Sequence, residues 1–188
     1  MKYYKKLEGE NVYLSPINVE DAKDYIDWFT DFRTTDGIKQ SRNLLNIESE
    51  TEWITQTLKE GRPEFAIVKK DNNEMIGNCG FMKISQIDGT AEIGIFIGKE
   101  ENRNKGFGTE SINLLLDWGF NYLNLHNIEL GVFSFNERAI NCYKKLGFKE
   151  YGRRRECYYL NGKYYDLVRL DMLKDEFKGD FIKNKVIY

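Results

Sequence analysis

The sequence predicts a mixed α/β fold: a mostly antiparallel sheet of six to seven strands flanked by about four helices. Three observations lead there. Residues 65–97 contain apolar runs and alternating stretches separated by tight-turn signals, which reads as an antiparallel meander. Residues 106–123 switch to a helical period between two strand-like runs, which is a crossover unit. Asn161-Gly162 joins two long closing runs, the strongest short hairpin signal there is.

Composition narrows the class. The 188 residues suit a single domain over 1–173, followed by a charged tail over 174–188. With 28 Lys+Arg against 30 Asp+Glu, the net charge is −2. That balance argues against a nucleic-acid partner, including an RNA-binding module built on the many aromatics. Hydrophobic residues make up 41% of the chain, too many for disorder. The single histidine, His126, excludes a two-histidine metal site of the H-E-x-x-H kind, and no metal is expected. Cys79, Cys142 and Cys157 form no C-x-x-C pair and read as reduced thiols of a cytoplasmic protein. Met1 to Lys6 lead into polar sequence without an apolar signal region. No apolar run approaches the ~20 residues of a membrane span, so no membrane partner is expected.

The elements follow in order. Val12-Tyr13-Leu14 reads as a short strand stopped at Ser15-Pro16. Asn18 caps a helix striped by Ala22, Tyr25, Ile26 and Phe29. Residues 31–46 are polar and aperiodic, a connection suited to a substrate lid or to plain solvent. Ser49 and Glu52 have capping-box spacing ahead of Ile54 and Leu58. Strands are expected over Phe65–Val68, Met75–Ile84 and Ala91–Ile97, where Ile93, Ile95 and Ile97 alternate with Glu92, Gly94 and Phe96. The 106–123 helix buries Ile112, Leu115, Leu116, Phe120 and Leu123; a strand over Ile128–Phe133 and a helix over Asn136–Leu146 follow. Gly147 stands where a helix end calls for a left-handed residue.

The most informative segment is Arg103-Asn104-Lys105-Gly106-Phe107-Gly108-Thr109, between a strand and the longest helix. A helix N-terminus offers N–H groups without internal partners and about half a positive charge. Gly106 and Gly108 let an anion approach the backbone, and Arg103 and Lys105 add cations, so the loop predicts a diphosphate cradle. It is not a Walker A loop, since G-x-x-x-x-G-K-[ST] does not occur. The dinucleotide fingerprint G-x-G-x-x-G fails at Ser111, and no acidic residue ends the following strand. An ordinary helix start with two glycines remains the plain alternative.

Three segments in order carry a resemblance. They are Glu92-Ile93-Gly94-Ile95-Phe96-Ile97, then Arg103-x-x-Gly106-x-Gly108-Thr109, then Asn136-Glu137-Arg138-Ala139-x-x-x-Tyr143-x-x-x-Gly147-Phe148. Together they closely resemble the GNAT superfamily of N-acetyltransferases, whose acyl-coenzyme A loop reads [QR]-x-x-G-x-[GA]. The last segment resembles the branch that acetylates ribosomal-protein N-termini and spermidine. The resemblance covers residues 10–173. It implies a splayed sheet and direct transfer of an acetyl group from acetyl-CoA to a primary amine, in a ternary complex. The amine would be a peptide N-terminus, a polyamine or a small amino compound, and a homodimer is common among such proteins. A non-catalytic acyl-CoA sensor is the alternative.

On the same resemblance, the backbone at Phe96 and Ile97 pairs with pantetheine, and residues 103–109 hold the pyrophosphate. Asn136 hydrogen-bonds pantetheine, although its position also suits a helix N-cap. Tyr143 protonates the departing thiolate, although it lies on the Ala139–Leu146 stripe and also suits the core. Glu92 acts on the amine, often through water. The run Arg153-Arg154-Arg155 has the reach for the coenzyme's 3′-phosphate or faces water. Tyrosines 158, 159, 164 and 165 line an acceptor pocket, form a dimer edge or pack across strands. His126 reads as a surface histidine, and Cys142 as a poor nucleophile.

Overall fold

The computed structural model describes residues 2–186; Met1, Ile187 and Tyr188, at the outer ends of the expected domain and tail, lie outside it. Its strands are β1 (Leu7–Glu8), β2 (Val12–Pro16), β3 (Glu64–Lys69), β4 (Met75–Ser85), β5 (Thr90–Ile97), β6 (Asn127–Phe133), β7 (Lys149–Leu160) and β8 (Lys163–Leu173). They form one sheet in the order β1-β2-β3-β4-β5-β6-β8-β7. All neighbours are antiparallel except β5 and β6. The eighth strand, beyond the six to seven expected, is the two-residue β1, too short for any periodicity to show.

The helices are α1 (Ala22–Phe29), α2 (Phe32–Thr35), α3 (Ile47–Lys59), α4 (Phe107–Asn121) and α5 (Glu137–Lys145). Helix α2 is a single turn within the segment expected to be aperiodic, capped by Asp31. The capping box of α3 is also one turn earlier than the Ser49–Glu52 spacing suggests. Asn46 accepts from the Ser49 N–H at 2.8 Å, and Ser49 Oγ accepts from the Asn46 N–H at 3.1 Å. Asn18 caps a short 3-10 turn that feeds into α1. Among the described residues, no helix is long and apolar enough to cross a membrane.

The sheet has two different faces. Against α4 lies the larger apolar core, with Phe65, Ile67, Ile93, Ile112, Leu115, Leu116 and Phe120 all buried. Against α1 and α3 lies a smaller, aromatic core of Tyr25, Trp28 and Ile54, with Phe96 packed on it. The alternation along β5 assigns each residue to its face, so the isoleucines meet α4 while Phe96 meets Tyr25 and Trp28 at 5.9 Å.

The expected surface tail is not one. Phe177 packs on Phe120, Ile182 is buried in the α4 core, and the N–H groups of Phe181 and Ile182 donate to Asp117 Oδ2 at 2.6 and 3.0 Å. The apolar Phe177, Phe181 and Ile182 outweigh the surrounding charges. The Asn161-Gly162 turn is as expected, with positive φ at both residues, and Gly147 takes φ 102° after α5.

Candidate active site

Strands β5 and β6 pair only at Thr90–Asn127, Ala91–Ile128 and Glu92–Glu129. Beyond Glu92, β5 continues to Ile97 and β6 to Phe133 while the two diverge. One edge of β5 thus faces a wedge, where its backbone is open to an added strand-like ligand. Phe96 and Ile97 stand on that open stretch.

A salt-bridged cluster closes the throat of the wedge. Arg169, on β8, reaches across β6: Nη1 meets Glu92 Oε1 at 3.1 Å, and Nη2 binds Glu129. Gly131 makes that crossing possible, because a Cβ there would lie 3.2 Å from Arg169 Nη1. Lys83 Nζ holds the other oxygen of Glu92 at 2.6 Å. Burial acts to raise the Glu92 carboxyl, but Lys83 and Arg169 outweigh it and hold the group below its ordinary value. The sequence reading gave Arg169 no role; a cation facing two strand glutamates becomes visible only once the register is known.

The glycine-rich loop lies at the open end of β5. Gly106 adopts φ 86° as the N-cap of α4, with no side-chain cap, and the first backbone bond of the helix comes from Glu110 N–H. The N–H groups of Phe107, Gly108 and Thr109 therefore lack helical acceptors. A Cβ at Gly106 would meet nothing within 4 Å, so the approach to the backbone at Gly106 is open. That arrangement fits a diphosphate. Lys105 is exposed and, among the described residues, has no ion-pair partner.

Arg103 corrects the sequence reading. Its side chain is not a loose phosphate cation, because Nη2 donates to Gly98 O at 2.9 Å, Ile97 O at 3.1 Å and Thr34 Oγ1 at 2.7 Å. It clamps the end of β5 to α2 instead. The second cation at the loop is Arg138, which the motif contained without a role: Nη1 donates to Asn104 Oδ1 at 3.2 Å. Asn104 itself sits at φ 61°, turning the chain into Lys105 and Gly106.

Asn136 caps α5, accepting from Ala139 N–H at 3.2 Å, which leaves its amide NH₂ free of that bond. Tyr143 packs edge-on to Phe148 at 5.8 Å, and burial, with a smaller contribution from Cys142 and Cys79, pushes its phenol well above the ordinary value. Cys142 faces Thr109, with Sγ and Oγ1 3.4 Å apart. His126 is exposed at the surface.

The 31–46 segment is pinned over the β7–β8 hairpin. Tyr158 stacks on Phe133 at 4.0 Å and donates to Asp36 O at 3.3 Å, while the Arg42 guanidinium covers the Tyr158 ring at 4.6 Å. Phe32, Asp36, Arg42 and Tyr159 are among the residues lining a cavity of about 300 Å³ between them. Tyr159 and Tyr164 pack across the hairpin at 5.2 Å. Arg153 pairs with Glu150 at 2.6 Å on β7, the far edge of the sheet from β1.

Comparison with known proteins agrees with this geometry. The family profile described as an acetyltransferase (GNAT) domain matches residues 11–149. The N-acetyltransferase p20 of Bacillus licheniformis is 31% identical over 92% of this chain and 98% of its own length. The spermidine N(1)-acetyltransferase of Vibrio cholerae is 35% identical over 59% of this chain and 64% of its own length. A crystal structure of the spermidine N-acetyltransferase from Vibrio cholerae, in complex with CoA and spermine, superposes with a TM-score of 0.79 at 25% identity, covering 88% of this chain and 97% of that one. With its open strand edge, its bare helix N-terminus and these relatives, the chain belongs to the GNAT family and is an acetyl-CoA-dependent N-acetyltransferase.

Proposed function

We propose that the chain acetylates a primary amine of the aliphatic polyamine class, by direct attack within a ternary complex. The observation that carries the reading is the open β5 edge at Phe96 and Ile97, running into the unpartnered N–H groups of Phe107, Gly108 and Thr109. Acetyl-CoA supplies the activated acetyl group. The backbone at Phe96 and Ile97 adds its pantetheine arm as a strand, and the amide NH₂ of Asn136 donates to it. The amides after Gly106, with Lys105 and Arg138, hold its diphosphate. Asn104 acts here through its turn and its bond to Arg138, and Arg103 by fixing the end of β5.

Two side chains act on protons. Tyr143 keeps its proton at every physiological pH because burial disfavours phenolate. It is therefore protonated when the sulfur departs, while the same burial makes it a weaker acid than a free phenol. Glu92 stays ionised between Lys83 and Arg169 and, through a water, accepts the proton that the amine sheds as it is acylated. The same two cations weaken it as a base, so its larger effect is to attract and orient a cationic acceptor.

The polyamine class is favoured by the relatives that carry the spermidine name and by the acidic groups on the α1/α3 face. The cavity under residues 31–46 is the acceptor's entrance. A homo-oligomer is part of the same reading, since one structure of the Vibrio cholerae relative is dodecameric. The test is release of free coenzyme A thiol from acetyl-CoA with spermidine, amino sugars and N-terminal peptides as acceptors. Turnover with spermidine well above that with the other two classes is the expected result. Turnover with peptides alone would overturn the polyamine assignment.

A further inference from the structure

On the α3 face of the sheet, away from the wedge, the start of β3 leaves a second cavity of about 410 Å³, with Trp53, Thr57, Glu64, Phe81 and Met82 among its lining residues. Two of its polar groups have no protein partner. Thr57 is 1% exposed, and its Oγ1 has no hydrogen-bond partner. Among the described residues, the Glu64 carboxylate has neither an ion-pair nor a hydrogen-bond partner, although burial pushes it up to about 7. A carboxylate and a hydroxyl oxygen beside Trp53 form a set that suits an organic ammonium group.

The register ties this cavity to the wedge. Glu64 lies opposite Gly80, which lies opposite Gly94, so the three occupy one row across β3, β4 and β5. Two glycines in that row leave room for the Glu64 carboxylate above Gly80 and for the Met82 methyl above Gly94. A Cβ on Gly80 would collide with the Glu64 carboxylate itself. Two strand spacings put Glu64 roughly 10 Å from β5, within the span of an extended alkyl polyamine.

The neighbouring charges do not neutralise Glu64. Arg62 faces it but is paired with Glu60 at 2.9 Å, and Lys83 is paired with Glu92. On the helices above, Glu50 is buried and also pushed up to about 7, and the Tyr25 hydroxyl is buried without a partner. Acceptors thus exceed available cations across this face.

We propose that Glu64, with Thr57 and Trp53, forms a subsite for a second ammonium group of the acceptor and so selects diamines and polyamines over monoamines. The subsite rests on the polyamine reading above, and the experiment separates the two. Steady-state kinetics of the wild type and Glu64→Gln are compared with spermidine, putrescine and n-butylamine, and putrescine binding is followed by calorimetry. Glu64→Gln is expected to raise KM for spermidine about ten- to a hundredfold, with kcat, the KM for acetyl-CoA and the KM for n-butylamine unchanged. Wild-type putrescine binding is expected to release protons below pH 7 and to weaken in the variant. Equal effects on spermidine and n-butylamine, or no effect on either, overturn the subsite. If no amine is a substrate, the polyamine reading fails, and calorimetry alone decides the subsite: loss of putrescine binding in Glu64→Gln supports it and unchanged binding overturns it. A folded-state control comes from Glu64→Asp, which should restore part of the spermidine preference.

Discussion

The two faces of the same three strands make opposite use of burial. Toward α4, the odd-numbered residues of β5 meet leucines and isoleucines, and that face is nearly saturated with apolar contacts. Toward α1 and α3, the same strands cover Glu50, Thr57 and a tyrosine hydroxyl, and half-bury Glu64, with too few partners. Burying polar groups without partners is destabilising, so the second face keeps its acceptors at a cost in stability. The difference teaches that the α4 face sets the position of the β5 edge and the Gly106 loop, whereas the α3 face holds acceptor groups that the proposed cationic substrate would satisfy.

Substitutions that act on one face alone sharpen this contrast. The largest effect is expected at Tyr143, on the coenzyme side. Tyr143→Phe should lower kcat about 10²- to 10⁴-fold while leaving acetyl-CoA affinity, measured by calorimetry, within about twofold of wild type. Retained turnover would return Tyr143 to a packing role, in keeping with its contact with Phe148.

Next comes the throat that joins the faces. Arg169→Met leaves Glu92 and Glu129 side by side with Lys83 alone to offset them. A loss of about 1–3 kcal/mol in urea unfolding is expected, with the Glu92 carboxyl moving back up toward its ordinary value. Unchanged unfolding would show that pairing at Thr90–Glu92 holds the throat without the guanidinium.

The α3 face predicts an unusual pH dependence of stability. Glu50 and Glu64 rise from 4.5 to about 7 on folding, so between those values the folded chain binds more protons than the unfolded chain. Stability from these groups is therefore fully present below pH 4.5 and declines as pH rises towards 7, by at most about 3 kcal/mol for each. Glu64→Gln should flatten the curve of Tm against pH in that window, and spermidine should restore stability above pH 7 in the wild type. The smallest effect belongs to Lys105. Lys105→Ala should raise the KM for acetyl-CoA about two- to fivefold, and more at low salt, with kcat unchanged.

The α4 face was the more legible one in the sequence. The isoleucine alternation, the 106–123 period and Asn161-Gly162 each express a local rule, and the structure follows them within a residue or two. The bare start of α4 at Gly106 was legible for the same reason, because a glycine at a helix start acts through its own backbone. What did not show depends on residues distant in sequence. Glu64 follows Arg62-Pro63 and looks like an exposed strand end; only the placement of α3 brings Trp53 and Thr57 beside it. Arg103 looks like a phosphate cation until the loop closes on Ile97, Gly98 and Thr34. The tail reads as charged because its Phe177, Phe181 and Ile182 have no periodicity of their own before they meet Phe120 and Asp117.

The central claim is that bare amides at the start of α4 hold the coenzyme's diphosphate. A crystal structure grown with coenzyme A tests it most directly. Pyrophosphate oxygens within about 3 Å of the N–H groups of Phe107, Gly108 or Thr109, with the pantetheine lying along Phe96 and Ile97, are the predicted result. A coenzyme bound with its diphosphate away from Gly106 and Gly108 would contradict the account.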